Sequence, residues 1–590
     1  MTLTTFEEFL NFVRPVGWWQ IRTILLVSFI CFWAGANNLA VVFMQLPLRF
    51  RCLQYEQETY SDSPISNLLQ QVHQPTDDSW PGASDCLLSG NGTTDNEHSA
   101  KCVSFEYDDV SGPVSSSLIS TYNLVCERDG EIAHVQAAYM IGILFGCIIS
   151  GPTVDRYGRK WPAVVGMLLG ALFSVSHAFA PSYGTFLLLR AAIPTAIMPA
   201  WNAQFTMCLE ITSSKYRSIL GGLFNIPFAL SVMFVAPVAY WVRNWQLYTV
   251  LLALPMLSVI SYFWFYFESP RWLLVRGETE KAKSVVNEVC RLNKSTMPSD
   301  DDFNMLAHSL AKEAQLDDAT HKTFFSIYAF KHGWPRYPKL IVRSINLFCN
   351  WIVVTMVYYG LSYNVSFFGG NIFINHTLSG FIEIPSGLLA AALMLAGRRT
   401  GLVAAHVVTA FGLLVAHWVD GDQSVTWLRI ASMLCAKLCT TAAFAILYMY
   451  TSELYPTVIR SGGLAASSCV GRIGAIAAPY IMNAPDGSLF AHPMIIFGGA
   501  TLFAGSLAIL LPETNGKRLA DTLEQASTLY SEIAVPVDVP HTESRKQLLI
   551  EQELIEAHMS NDVAIDVTPS GSSSEECSSC DTASEPDPLV

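Results

Sequence analysis

Between Thr23 and Leu48 the chain runs for 26 residues without one charged side chain. An α-helix rises 1.5 Å per residue, so about 20 apolar residues cross a hydrocarbon core about 30 Å thick. In lipid every backbone amide must be bonded inside the segment itself, which a run of this length achieves as a helix. Similar runs recur down the chain, and twelve spans are expected at 21–46, 133–153, 161–181, 184–208, 217–241, 245–267, 341–363, 372–396, 401–419, 425–449, 461–482 and 493–511. Composition agrees: 51% of residues are hydrophobic and 14% charged, against about 25% charged in soluble domains. The fold class expected is an all-α membrane protein. The first run is too long for a cleaved signal peptide and follows the mixed segment TFEEFLNFVRPVGWWQIR, so it is expected to stay as an anchor.

Charge is distributed unevenly around these spans. The 513–590 tail carries 16 acidic and 4 basic residues, and the 47–132 loop carries 14 and 4. The net charge of −14 therefore leaves +8 for the remainder. That surplus sits in DRYGRK (Asp155–Lys160), SSKYR (Ser213–Arg217), the 268–340 loop and GRR (Gly397–Arg399), all on one side of the expected bundle. Short basic loops mark the cytosolic face. The expected layout is a cytosolic 1–20 segment, helix 1 at 21–46, an outer loop at 47–132, helices 2–6 within 133–267, a cytosolic linker at 268–340, helices 7–12 within 341–512 and an acidic, Ser-rich, disordered cytosolic tail at 513–590. No basic domain points to nucleic acid, and no cofactor or metal cluster is suggested.

The outer loop holds Cys52, Cys86, Cys102 and Cys126 beside the sequon at Asn91. An even cysteine set next to a sequon reads as two disulfides in an oxidising compartment, with three pairings open. Asn364 opens a second sequon on the same side. Asn375 opens another close to the membrane, and Asn293 falls on the cytosolic side and should stay unmodified.

The chain repeats itself. EITSSKYRSILGG starts at Glu210 and ELYPTVIRSGG at Glu453, 243 residues on; ESPRWLLVRGE at Glu268 and ETNGKRLADTLE at Glu513 are 245 apart. At the same offset Asp155 falls on Arg398. Two six-helix halves follow, and such halves suit rocking around a site between them. The phosphate-binding pattern GxxxxGK[ST] is missing, so ATP hydrolysis is not the expected engine. No nucleophile–base arrangement stands in an aqueous segment, and an enzyme is not expected. In GPTVDRYGRK, Asp155 is expected to meet a helix N-terminus, while Arg156, Arg159 and Lys160 meet lipid or acids of the facing half, a latch on one state of the cycle.

DRYGRK, ESPRWL, ELYPTVIR and PETNG together resemble the major facilitator superfamily, and within it the organic cation, carnitine/zwitterion and organic anion transporters. The resemblance covers roughly Val16 to Ala526. It implies the twelve-helix major facilitator fold, gating charges at Asp155, Arg156, Arg159, Lys160, Glu210, Arg217, Glu268, Arg271, Arg398, Arg399, Glu453, Arg460 and Glu513, and a small organic ion as substrate. Members of the family often carry six cysteines in the outer loop; four stand here. Sugar porters share ESPRWL and PETNG but carry glutamines in the seventh span, where this chain has WIVVTMVYYGLSYN.

Charges within the spans mark a cavity or a partner, because each costs about 2.5–3.5 kcal/mol at the bilayer centre. Glu383, Lys437 and Arg472 lie deep in spans eight, ten and eleven; Arg190 lies nearer the outer end of span four. By the resemblance, Glu383 lines the cavity, Lys437 holds a basic position common in the family, and Arg472 stands where anion and carnitine transporters have arginine and the cation group an acid. Gly387 occupies the place of a lysine in anion carriers. Arginine holds a carboxylate bidentately and keeps its charge. Its partner is either a substrate carboxylate or Glu383. Trp201 and Phe444, each nine residues before a motif glutamate, match cavity positions in the family. Tyr358 and Tyr359 add aromatic faces that attract organic cations, Tyr448 and Tyr450 lie a turn nearer the cytosol, and Asn37 and Asn38 offer polar contacts. The expectation is a plasma-membrane carrier of organic cations or carnitine-like zwitterions working by alternating access, with sodium or a proton as a coupling ion. The alternatives are an organic anion exchanger, using Arg472 and Lys437, and a non-transporting sensor or scaffold.

Overall fold

The computed structural model describes residues 5–55, 86–89, 99–108, 113–213, 215–216, 225–311, 337–419, 423–456, 459–483, 492–517, 520 and 525–526. Arg217, Asn91 and the acidic tail from 527 onward lie outside the described residues.

Among the described residues, twelve apolar helices form the two halves. The first half holds α1 (Trp18–Leu39, continued by the turn Val41–Met44), α2 (Ile132–Tyr157), α3 (Lys160–Ala178), α4 (Tyr183–Ile211), α5 (Ile226–Trp241) and α6 (Trp245–Phe265, with a 3₁₀ stretch at Leu254–Ser261). The second holds α7 (Pro338–Tyr363), α8 (Ile372–Leu395), α9 (Arg398–Trp418), α10 (Thr426–Leu454), α11 (Arg460–Met482) and α12 (Pro493–Ile509). Among the described residues, ten are long and apolar enough to cross a membrane; α5 and α12, with 16 and 17 residues, are shorter. Polar caps stand at several starts: Ser182 accepts from Thr185 at α4, Asn244 from Leu247 at α6, and Asn371 from Phe373 and Ile374 at α8. These side chains satisfy amides that have no partner inside the helix.

Two sequence features shape the second half. Pro385 cannot donate to the carbonyl four residues back, at Phe381. The α8 ladder accordingly breaks between Ile372–Phe381 and Glu383–Leu395, and Glu383 sits at the break. On α11, Gly471 and Gly474 press against α7. A Cβ at Gly474 would strike the Ile352 carbonyl, and the Gly471 carbonyl accepts from Thr355 Oγ1. Small residues let two backbones meet, and with that face committed to α7, Arg472 is carried to another.

The outer loop contains what the all-α expectation lacked, a three-stranded antiparallel sheet in the order β1 (Phe50–Tyr55), β3 (Ser99–Tyr107), β2 (Leu87–Ser89). Of the three pairings left open, the chain forms Cys52–Cys102 and Cys86–Cys126. The first joins β1 to β3; the second ties the sheet to the approach to α2. On the opposite face, the helix Thr279–Asn293 buries Ala282, Val286, Val289 and Cys290. Its last residue fastens the N-terminal segment. Asn293 Oδ1 accepts from the Trp19 amide (2.9 Å), and its Nδ2 donates to the Val13 carbonyl and Gln20 Oε1 (both 3.0 Å).

Candidate functional site

Glu383, Lys437 and Arg472 all lie inside the second half, but they do not pair as the Glu383–Arg472 alternative required. Lys437 on α10 is fully buried, 3.4 Å from Glu383 Oε1, and it also donates to Ser379 Oγ. Glu383 accepts a second hydrogen bond from Tyr358 OH at 2.9 Å, and the Lys437 ammonium lies 5.7 Å from the Tyr358 ring centre. Each buried charge thus neutralises the other. Proximity decides this: the α8 break turns Glu383 toward α10, while the α7–α11 contact keeps Arg472 away from it.

Arg472 is 8% exposed and has no carboxylate partner among the described residues. One terminal nitrogen donates to Tyr359 OH at 2.8 Å, the guanidinium lies 5.8 Å from that ring centre, and Nε is buried without a hydrogen-bond partner. Around it run aromatic rings of α7 and α10. Tyr358 meets Tyr359 at 5.1 Å and Phe444 at 5.6 Å, and Phe444 meets Tyr448 at 5.3 Å. Trp351, absent from the sequence expectations, backs this wall. It is fully buried, packs on Phe444 and Tyr448 (5.6 and 4.6 Å), and donates its indole N–H to Thr451. Its place on α7, seven residues before Tyr358, was the available signal.

Other expected positions serve packing. Asn37 turns away from the second half and donates to Ser174 on α3 (2.7 Å). Tyr450 is fully buried with its hydroxyl on the Pro512 carbonyl. Trp201 on α4 is half-buried against Phe228 of α5, at 6.2 Å edge to face. Arg190 is buried inside the first half, 4.4 Å from the Tyr139 ring centre. Asn364, expected to carry a glycan, is 8% exposed and donates its Nδ2 to the Gly360 carbonyl (3.1 Å), so the folded chain has no room for one.

The halves meet at the end that bears the outer loop. Tyr363 OH donates to Asn38 Oδ1 (2.5 Å), joining α7 to α1. Phe373 of α8 stacks on Phe43 at the end of α1 (5.3 Å) and meets Tyr240 of α5 edge to face (5.4 Å). His134 of α2 lies 5.8 Å from Tyr480 of α11. Midway along the same α2–α11 seam, Cys147 of α2 neighbours Cys469 of α11 beside Arg472.

At the motif-bearing end the ion pairs among the described residues lie within each half in this state. Arg159 grips Glu210 bidentately (2.7 and 3.1 Å), and Arg398 grips Glu453 (3.1 and 3.2 Å). The counterpart of Arg398 is therefore Arg159 and not Asp155. Nor does Asp155 reach a helix N-terminus. It lies exposed on the last turn of α2 and offers its backbone carbonyl to Trp272 Nε1. Glu268 does the capping, accepting from the Arg159 and Lys160 amides at the start of α3 (2.7 and 3.1 Å). Glu513 repeats this at α9, accepting from the Arg398 and Arg399 amides (2.7 and 3.1 Å). Arg156 is exposed beside Tyr157, and Arg271 is half-buried. Burial raises the Glu268 carboxyl above its usual range against the pull of its backbone donors. Burial also works to raise Glu513, but there four backbone amides outweigh it and hold the carboxyl below that range.

The sugar (and other) transporter family matches residues 91–526. The organic cation transporter protein of Drosophila melanogaster is 30% identical over 525 residues, covering 88% of this chain and 94% of that one. The Homo sapiens organic cation/carnitine transporter 2 is 30% identical over 414 residues, 70% of this chain and 72% of the other. The inward-open conformation of the xylose transporter XylE from E. coli overlays with a TM-score of 0.57 over 86% of this chain and 98% of that one; at 14% identity the likeness is one of fold.

Proposed function

The chain belongs to the sugar (and other) transporter family and, within the major facilitator superfamily, to the organic cation/carnitine transporters, and from that premise we propose that it carries organic cations or zwitterions across the plasma membrane by alternating access. One observation carries the preference for a zwitterion. Arg472 is a buried cation held by a tyrosine hydroxyl with one nitrogen unused, next to a wall of aromatic rings, whereas Glu383 is already neutralised by Lys437. A carboxylate satisfies the guanidinium bidentately, and a quaternary ammonium lies against the rings. A betaine-type substrate offers both groups at once. The basic loops favour a cytosolic placement of both termini, and the contacts that close the loop-bearing end are those expected of a state that does not face outward. Sodium or a proton serves as the coupling ion.

Uptake of labelled carnitine, tetraethylammonium and p-aminohippurate, each with and without sodium, tests the reading, together with Arg472→Ala and Glu383→Gln. Arg472→Ala should cut carnitine uptake at least tenfold and spare tetraethylammonium. Uptake of p-aminohippurate alone would favour the organic anion exchanger, which rests on the same arginine. If neither substitution alters uptake or selectivity, the site is elsewhere. Removing the tail beyond residue 531 should leave uptake intact; a full chain that moves none of the three substrates would favour a sensor or scaffold.

A further inference from the structure

His376 lies one turn into α8, at the seam between the halves. It is 0% exposed, and both Nδ1 and Nε2 are buried with no hydrogen-bond partner among the described residues. A neutral imidazole has one N–H to donate and one lone pair to fill. Either tautomer therefore leaves two unmet polar groups, which is costly and uncommon in a folded interior. Much of the cover comes from the other half. Phe43, at the end of α1, meets the imidazole edge to face at 5.1 Å and stacks on Phe373, one turn before His376. One turn after it, a Cβ at Gly380 would strike Val232 and Met233 of α5, so the two helices press together there.

The charged and titratable surroundings are sparse. The turn Val41–Met44 and the segment Val365–Phe368 carry no titratable side chain. On α5 there is Tyr240, placed against Phe373, and on α7 Tyr363 gives its hydroxyl proton to Asn38. From α10 comes Lys437, the charged group in electrostatic reach of the imidazole. It is held by Ser379 and by Glu383 of α8 itself, so that carboxylate is spent on the ammonium.

We propose that His376 is a proton site of the outer gate, vacant while the loop-bearing end is closed and filled when that end opens. Opening, which rests on the alternating-access reading but on no choice of substrate, withdraws Phe43 and lets water reach both ring nitrogens. An imidazole in water takes its proton near pH 6.5. That proton must leave before Phe43 closes over the ring again, because the closed pocket offers it no acceptor and sets it beside Lys437. External acid then favours the outward-open state and slows the return, since a ligand shifts an equilibrium toward the state that binds it better. The sign separates this site from a coupling proton. A proton carried inward with substrate makes uptake rise in external acid; one that must leave before closure makes it fall.

The test labels the full chain in intact cells with a membrane-impermeant maleimide added outside. Modification of Cys147 is read at about pH 7.5 and about pH 5.5, either side of the imidazole range, with Cys147→Ser as the blank. His376→Phe, labelled in parallel, cancels the pH dependence of the thiol reaction itself. The ratio of unsubstituted to His376→Phe labelling should rise several-fold at the lower pH. His376→Gln, which stays polar but binds no proton, takes over as the reference if the phenylalanine variant does not reach the surface. His134, exposed on the same seam beside Tyr480, is the competing source. His134→Gln should keep the rise, and its loss there would assign the response to His134 and overturn the proposal. The gate variant Phe373→Ala with Tyr363→Phe separates the two readings. No label on Cys147 even there would remove the opening, and the proton site with it. Label there with an unchanged ratio overturns the proton site alone.

Discussion

Single residues decide the chemistry of the central site. Lys437 and Glu383 are both nearly out of water and joined to one another, and removing one partner of such a pair strands the other at a cost of about 3–5 kcal/mol. Lys437→Met should therefore lower the melting temperature sharply, and Lys437→Met with Glu383→Leu should recover most of the loss. A double-mutant cycle on thermal unfolding reads this directly; additive losses would mean the two side chains do not act as a pair. Tyr359 has a different task. Its hydroxyl orients Arg472, and a hydrogen bond to a charged group is worth about 1.5–3 kcal/mol. Tyr359→Phe should raise KM for a carboxylate-bearing substrate about tenfold or more, with little change for a simple cation. Equal changes for both would show that the hydroxyl does not set the arginine.

Helix ends and helix seams form the next level. Glu268 and Glu513 cap α3 and α9 by the same geometry, yet their protonation runs in opposite directions. A carboxyl raised in the folded state favours folding more as pH falls toward its raised value, and that advantage fades as pH climbs past it. A depressed carboxyl contributes stability above the ordinary carboxylate range, and loses it as pH falls through its lowered value. At neutral pH Glu513→Gln should thus lower the melting temperature and Glu268→Gln should change it little; on acidification the Glu513→Gln deficit should shrink. Melting curves of the two variants from neutral to acid pH check the sign. Along the α2–α11 seam, the contact between the Cys147 and Cys469 thiols allows a covalent probe. Copper phenanthroline should oxidise the pair and arrest uptake, and dithiothreitol should restore it. Cys469→Ser should be insensitive, and inhibition that persists in that variant would place the reactive thiol elsewhere.

At the scale of the whole molecule, the halves are joined from the middle of the seam to the loop-bearing end by Tyr363–Asn38, Phe43–Phe373–Tyr240 and His134–Tyr480. Phe373→Ala with Tyr363→Phe removes two of these contacts and should shift the population toward an outward-open state. Labelling of Cys147 by a membrane-impermeant maleimide added outside should rise several-fold; unchanged labelling would mean that this end is held by other contacts. Much of this architecture was legible in the chain itself. Apolar length, loop charge and the repeated Glu–Arg motifs depend only on local composition and on the demand that lipid places on backbone amides, so they specified twelve helices, two halves and which residues carry charge at depth. Partner choice was not legible. The break at Pro385 and the glycine face of α11 decide that Glu383 meets Lys437 while Arg472 is left to Tyr359, and the fold alone selects the Cys52–Cys102 and Cys86–Cys126 pairs. Glu268, not Asp155, caps α3 for the same reason. Contacts between residues far apart in the chain depend on how helices cross, and periodicity within each helix carries no record of that.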